Sequence, residues 1–109
     1  MKLQNGRSAI IPMEKLLNYC LNSKHPSGKH KAKVFASALG ITAQNAEDLR
    51  ELIRRAAIEG DVIQQADTSF GQTWKVDWLV PGDEEIILRT LWETTTTAPN
   101  PRLISAFIR

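Results

Sequence analysis

Disulfides, membrane-spanning runs and metal-ligand spacings are all missing from this chain. One cysteine, Cys20, in 109 residues excludes an internal disulfide, and its place on an apolar helical face marks it as a buried thiol. A reducing, cytoplasmic setting is the expectation. No apolar stretch is long enough to cross a bilayer, and no leader pattern opens the sequence. Acidic residues are scarce at the front: residues 1–35 hold seven Lys/Arg against Glu14 alone, while the remainder holds seven against eleven. That asymmetry, on a net charge of only +2, points to a local anionic partner rather than a wholly basic nucleic-acid coat. The two histidines, His25 and His30, lie five residues apart with no carboxylate nearby. No zinc or magnesium ligand set is spaced along the chain, so no metal and no cofactor is expected. Phosphate-loop, dinucleotide and nucleophile-elbow motifs are lacking as well.

What is present fits one domain over residues 1–109, with ordinary apolar (42%) and charged (24%) shares. Residues 1–11 read as an extended lead-in, with Ala9 to Ile11 placed to pair at a sheet edge. Pro12 suits a helix start, and Met13, Leu16, Leu17, Cys20 and Leu21 recur as one buried stripe. A second helix begins near Ser27 or Gly28 and stops at Gly40. A third, capped by Asn45 with Asp48, carries Leu49, Leu52, Ile53, Ala56 and Ala57 inward and ends at Gly60. Its arginines (Arg50, Arg54, Arg55) sit among Glu47, Glu51 and Glu59 as an ion-paired solvent face. Strands follow at Val62–Ala66, Gln72–Val80, Glu85–Thr94 and Arg102–Ile108. In the second, Trp74, Val76, Trp78 and Val80 alternate with Thr73, Lys75, Asp77 and Leu79. Helices first and antiparallel strands afterwards spell an α+β domain, its N-terminal helices packed on a roughly four-stranded antiparallel sheet.

The richest stretch runs from Lys24 to Phe35 (Lys-His-Pro-Ser-Gly-Lys-His-Lys-Ala-Lys-Val-Phe), with both histidines and four of the seven lysines. It reads as a turn feeding a helix whose first turn is cationic, a natural place for phosphate. If the helices cover the face bearing Trp74, Val76 and Trp78, then Lys75, Asp77, Arg89 and Ser105 share the opposite face, flanked by Phe107. Cations, a hydroxyl and an aromatic ring on one sheet face can hold a phosphodiester and stack a base; an ordinary solvated face with cross-strand charge pairs is the alternative. RNA cleavage without metal needs three things: a proton taken from the 2′-hydroxyl, a proton given to the leaving 5′-oxygen, and positive charge at the pentacoordinate phosphate. Histidine serves the first two and Lys or Arg the third; a lysine can also carry the proton. Each acid–base partner is worth roughly 10²–10⁴-fold.

Residues 25–35 resemble the signature H-P-x-G-x-x-K-A-x-F-F of an uncharacterised bacterial domain family. The likeness continues at Phe70-Gly71-Gln72, at Arg89-Thr90-Leu91-Trp92 and at Pro101-Arg102-Leu103-Ile104-Ser105-Ala106-Phe107, where the family usually has P-R-L-V-T-A-Y. Such domains occur alone and at the C-termini of polymorphic toxins. Their helices-then-sheet order is similar to the ribonuclease toxin group of barnase, EndoU, colicin nucleases and RelE. The resemblance implies RNA cleavage without metal on an open sheet face, restrained by a cognate antitoxin or immunity protein. It places Lys31, Arg89 and Ser105 in catalysis, with His25 and His30 fitting the motif as further catalytic candidates, and Arg102, Trp92 and Phe107 at the substrate; the cationic turn and the open sheet face add Lys29 and Lys75 there. Ser105 keeps the hydroxyl of the family's threonine; Phe107 lacks that of its tyrosine. The alternative is a non-catalytic antitoxin, immunity or regulatory module that grips a protein or nucleic acid through the basic turn.

Overall fold

The computed structural model describes residues 1–26 and 28–109. Among the described residues three α-helices, with short 3-10 and π turns before and between them, precede a four-stranded antiparallel sheet in the order β1-β2-β3-β4, as the alternation predicts. The strands are β1 (Asp61–Asp67), β2 (Gly71–Val80), β3 (Ile86–Thr95) and β4 (Arg102–Ile108). The expected edge pairing of Ala9 to Ile11 takes the form of a single parallel bridge, Ile10 to Arg102. Among the described residues no helix is long and apolar enough to cross a membrane.

One face of the sheet is roofed. Trp74, Val76, Trp78 and Val80 of β2 and Leu88, Thr90 and Trp92 of β3 are all buried. They meet Leu49, Ile53, Ala56 and Ala57 of α3 (Ala46–Glu59). The arginines of α3 pair with its own glutamates, Arg50 with Glu47, Arg54 with Glu51 and Arg55 with Glu59. Removing this much apolar surface from water is the main stabilising term, at about 25 cal/mol per Å² buried. The other sheet face carries Lys75, Asp77, Arg89 and Leu91 and has no helical layer on it. β1 is exposed along most of its length.

The first helix departs from its expected form. α1 (Met13–Lys15) passes directly into a π-helical turn, Leu16–Cys20, in which the Leu21 N–H reaches back to the Leu16 carbonyl at 2.8 Å. The extra residue in that turn rotates the stripe. Leu16, Cys20 and Leu21 stay buried, but Leu17 is 39% exposed instead of facing the core. Burial pushes the Cys20 thiol up from its ordinary value, which suits an inert core thiol.

α2 (Lys29–Leu39) begins after the predicted turn; Ser27, one of the two expected starting points, lies outside the described residues. It ends at Gly40, whose φ of 66° supplies the left-handed conformation that closes the last turn. Asn45 is the N-cap residue of α3 as expected, but its side chain makes no cap bond there, and the capping box lies three residues earlier. Thr42 and Asn45 form a reciprocal capping box over the 3-10 turn Ala43–Asn45, and α3 follows directly.

Candidate functional site

The π-turn and α2 wrap the β4 edge of the sheet and place two side chains beside its open face. Tyr19, from the π-turn, is half-buried. Lys31, one turn into α2, donates from Nζ to the Tyr19 hydroxyl at 2.7 Å and to Ser105 Oγ of β4 at 3.4 Å. The same ammonium lies 4.7 Å from the centre of the Tyr19 ring and 4.9 Å from that of Phe107. Two cation–π contacts and two hydroxyls hold this charge, and no carboxylate among the described residues pairs with it. Every opposing group is therefore neutral, so the positive field of Lys31 remains available to an incoming anion.

The turn before α2 is built around Tyr19. The Gly28 N–H donates to His25 Nδ1 at 3.1 Å, and the His25 ring meets the Tyr19 ring edge-on, 5.0 Å between centres. A Cβ at Gly28 would run into the Tyr19 backbone carbonyl, so only glycine lets α2 approach closely enough for Lys31 to reach the phenol. Ala32 and Phe35 then anchor the helix in the core. His25, Gly28 and Lys31 thus act on one tyrosine. His25 Nδ1 is engaged as the acceptor of the Gly28 N–H. That commits His25 first to the turn.

Of the other expected site residues, some share this neighbourhood and some do not. Ser105, at 5% exposure, pairs in register with Leu91, and Phe107 with Arg89. Arg89 lies one strand in and turns toward β2. Its Nε and Nη2 donate to the two oxygens of Asp77 at 2.8 and 3.0 Å, and Arg109 adds a contact to the same carboxylate at 3.5 Å. Asp77 holds the Arg89 guanidinium further above its ordinary value. Arg89 is charged at any working pH, but its charge is largely answered already. Lys31 and Ser105 touch; Arg89 stands beside them as half of an ion pair.

Two expectations need correction. Trp92 is fully buried on the roofed face, its indole N–H donating to Thr90 Oγ1 at 2.8 Å; a residue enclosed in the core has no ring face for a base. Lys29 and His30 point to the other side of α2. They line a cavity of about 800 Å³, together with Leu21, Lys33 and Gln44. The helical pitch separates positions 29 and 30 from 31 by about 100° per residue. Arg102, the register partner of Glu93, stays in the Tyr19 neighbourhood, in a cleft of about 440 Å³ shared with Tyr19, Lys15 and Asn18. A further cleft, about 230 Å³, crosses the open face at Lys75 and Leu91. Ile104 borders both of these clefts, and Ser105 follows it in the chain. No cluster of three or more His, Cys, Asp or Glu side chains that could hold a metal forms among the described residues.

A family model covers residues 2–109. The chain belongs to the family described as Domain of unknown function (DUF6883). Comparison with curated proteins and with solved structures finds no match. The family description names no activity, so the chemistry of the site has to carry the functional reading. Tyr19 is the site residue that periodicity misses. It is the single tyrosine of the chain, and the π-turn that aims it leaves no mark in the spacing of apolar residues.

Proposed function

We propose that this domain is a small toxin-type ribonuclease that cleaves single-stranded RNA without metal, by attack of a 2′-hydroxyl on the adjacent phosphate. The observation that carries the reading is the Lys31 ammonium. It is set between the hydroxyls of Tyr19 and Ser105 and over two aromatic rings, beside an uncovered sheet face. A phosphodiester in the trough brings one phosphate against Lys31, and Tyr19 and Ser105 donate to its non-bridging oxygens. The bond from O2′ to phosphorus forms as that from phosphorus to O5′ breaks. Water in the open trough takes the 2′-hydroxyl proton. Lys31 gives one to the departing 5′-oxygen and is reprotonated from solvent. Stabilising charge that develops only in the transition state is the largest lever such a site has. Arg89, steadied by Asp77, adds a second cation one strand away, and Arg102 and Lys75 extend the backbone track on either side. A cognate antitoxin or immunity protein restrains the activity in the producing cell.

The test is expression in a bacterium with RNA integrity as the readout. Growth arrest with RNA loss is expected for the natural sequence and for Lys29→Ala and His30→Ala. Arrest is abolished in Lys31→Ala and weakened in Ser105→Ala. Full arrest by a folded Lys31→Ala variant, or harmless high-level production of the natural sequence, refutes the proposal.

A second reading, a non-catalytic antitoxin, immunity or regulatory module, is favoured by the 800 Å³ cavity on the far side of α2. Lys29, His30 and Lys33 line it over an apolar floor of Leu21, Ala32 and Ala36. An acidic protein segment fits that chemistry. Harmless expression combined with loss of partner binding in Lys29→Glu/Lys33→Glu selects it.

A further inference from the structure

The open sheet face carries one cleft that reaches from edge strand to edge strand. Strands are spaced about 4.8 Å apart, so β1 and β4 are separated by two intervening strands. Yet Gln64 and Ala66 of β1 line the same 230 Å³ cleft as Ile104 of β4. Both edge strands carry an irregularity. The β1–β2 register shifts between Val62 and Gln64, and the β3–β4 register shifts between Leu91 and Trp92, opposite Ile104. An extra residue in a strand bends it and increases its twist, and here both edges carry one.

The contents of the cleft are specific. Its floor is Leu91, its walls are Ala66 and Ile104, and Gln64, Thr73 and Lys75 supply polar groups. None of those three side chains has a hydrogen-bond partner among the described residues, so nothing in the protein already satisfies them. Gln64, Lys75, Leu91 and Ser105 form one cross-strand row, each the register partner of the next. The cleft therefore opens one strand away from the hydroxyl that Lys31 contacts. A flat apolar floor with an amide at one end and a phosphate-binding cation at the other is the chemistry of a nucleotide lying on its side.

We infer that this cleft is a nucleobase subsite. One base lies over Leu91 between Ala66 and Ile104, the Gln64 amide reads its edge, and the attached phosphate is directed to Lys31 and Ser105. The inference rests on the ribonuclease reading for its purpose but not for its measurement, because binding can be seen without cleavage. An amide presents a donor and an acceptor together, which distinguishes one base edge from another.

The experiment is a titration of isotope-labelled protein with each of four nucleoside monophosphates, with inorganic phosphate and with a short single-stranded RNA of one base. Side-chain amide, methyl and lysine ε-CH₂ NMR signals are followed. The nucleotides shift Gln64, Leu91 and Ile104 together with Lys31, whereas inorganic phosphate shifts Lys31 and leaves Gln64, Leu91 and Ile104 unmoved. The oligonucleotide binds more tightly than the mononucleotide if RNA rather than a free nucleotide is the natural occupant; equal affinities assign the cleft to free nucleotides. Gln64→Ala, a change on an exposed edge strand, weakens the preferred nucleotide by roughly fivefold to a hundredfold relative to the others and leaves phosphate binding unchanged. Nucleotides that leave Gln64 and Leu91 unmoved, or a Gln64→Ala variant with unaltered preference, overturn the inference even if RNA is cleaved. Cleft binding with no cleavage leaves the subsite standing and ends the ribonuclease reading.

Discussion

Replacing Asp77 by asparagine tests how the open face is held in shape. The Asp77–Arg89 pair keeps only 12% and 20% side-chain exposure. Exposed ion pairs are worth about 0–1 kcal/mol, whereas breaking a fully buried pair costs about 3–5 kcal/mol, because one charge is left unanswered. Two short hydrogen bonds and low exposure place this pair between those limits, toward the buried end. The expected cost of Asp77→Asn is about 2–3 kcal/mol. Unfolding entropy of about 2.1 cal/mol/K per residue gives roughly 0.23 kcal/mol/K for 109 residues, so Tm should fall by roughly 9–13 °C. Removing the guanidinium as well, in Asp77→Asn/Arg89→Gln, restores part of the loss, since no buried cation is then stranded. Calorimetry of the natural sequence, both single variants and the double variant closes the cycle. A coupling below about 0.5 kcal/mol would show that the pair is incidental, and that Arg89 is as available to phosphate as Lys31.

Other perturbations probe other parts of the account. Thr90→Val keeps the shape of the core but strands the Trp92 indole N–H, both residues being fully buried. Thermal unfolding should show a loss of about 1–3 kcal/mol, and an unchanged Tm would mean that another acceptor satisfies the indole. Gly28→Ala forces a methyl against the Tyr19 carbonyl. The expected destabilisation is about 1–3 kcal/mol, with weaker phosphate binding as Lys31 withdraws from Tyr19; full retention of both contradicts the close approach of α2. Hydrogen bonds from Arg55 to Glu59 and from Lys2 to Asp61 hold both carboxyls below their ordinary values of 4.5 and 3.8. Folded values lower than unfolded ones mean stabilisation that is present above those ordinary values and lost as pH falls through the lower native ones. The acid-side decline in Tm should therefore be shallower in Lys2→Ala and Arg55→Ala, and superimposable profiles would refute the assignment.

The alternation of Trp74, Val76, Trp78 and Val80 is strong enough to name the roofed face and, by exclusion, the open one. Gly40 marks the end of α2 because a left-handed residue is needed there. The capping box moves from Asn45–Asp48 to Thr42–Asn45 because a short 3-10 turn precedes α3, and both pairs carry acceptable cap chemistry. Lys31 and Ser105, both singled out in the sequence, are brought into contact, but what separates Lys31 from Lys29 and His30 is helical pitch. The motif's residue types do not distinguish these cations. Arg89 and Asp77 share a face in the alternation pattern. That the two saturate each other depends on β2–β3 register, which spacing leaves open. Tyr19 escapes altogether, since a π-turn exchanges its direction with that of Leu17 and no periodicity anticipates the extra residue.

The central claim is that the Lys31 ammonium, answered only by hydroxyls and aromatic rings, is what this domain presents to the phosphate of RNA. The most direct measurement incubates purified protein with single-stranded RNA in the presence of a chelator and analyses the new ends. The account predicts 2′,3′-cyclic phosphate termini from the natural sequence and none from a folded Lys31→Met variant. Intact RNA with the natural protein, or equal cyclic-phosphate yield from the variant, would contradict it.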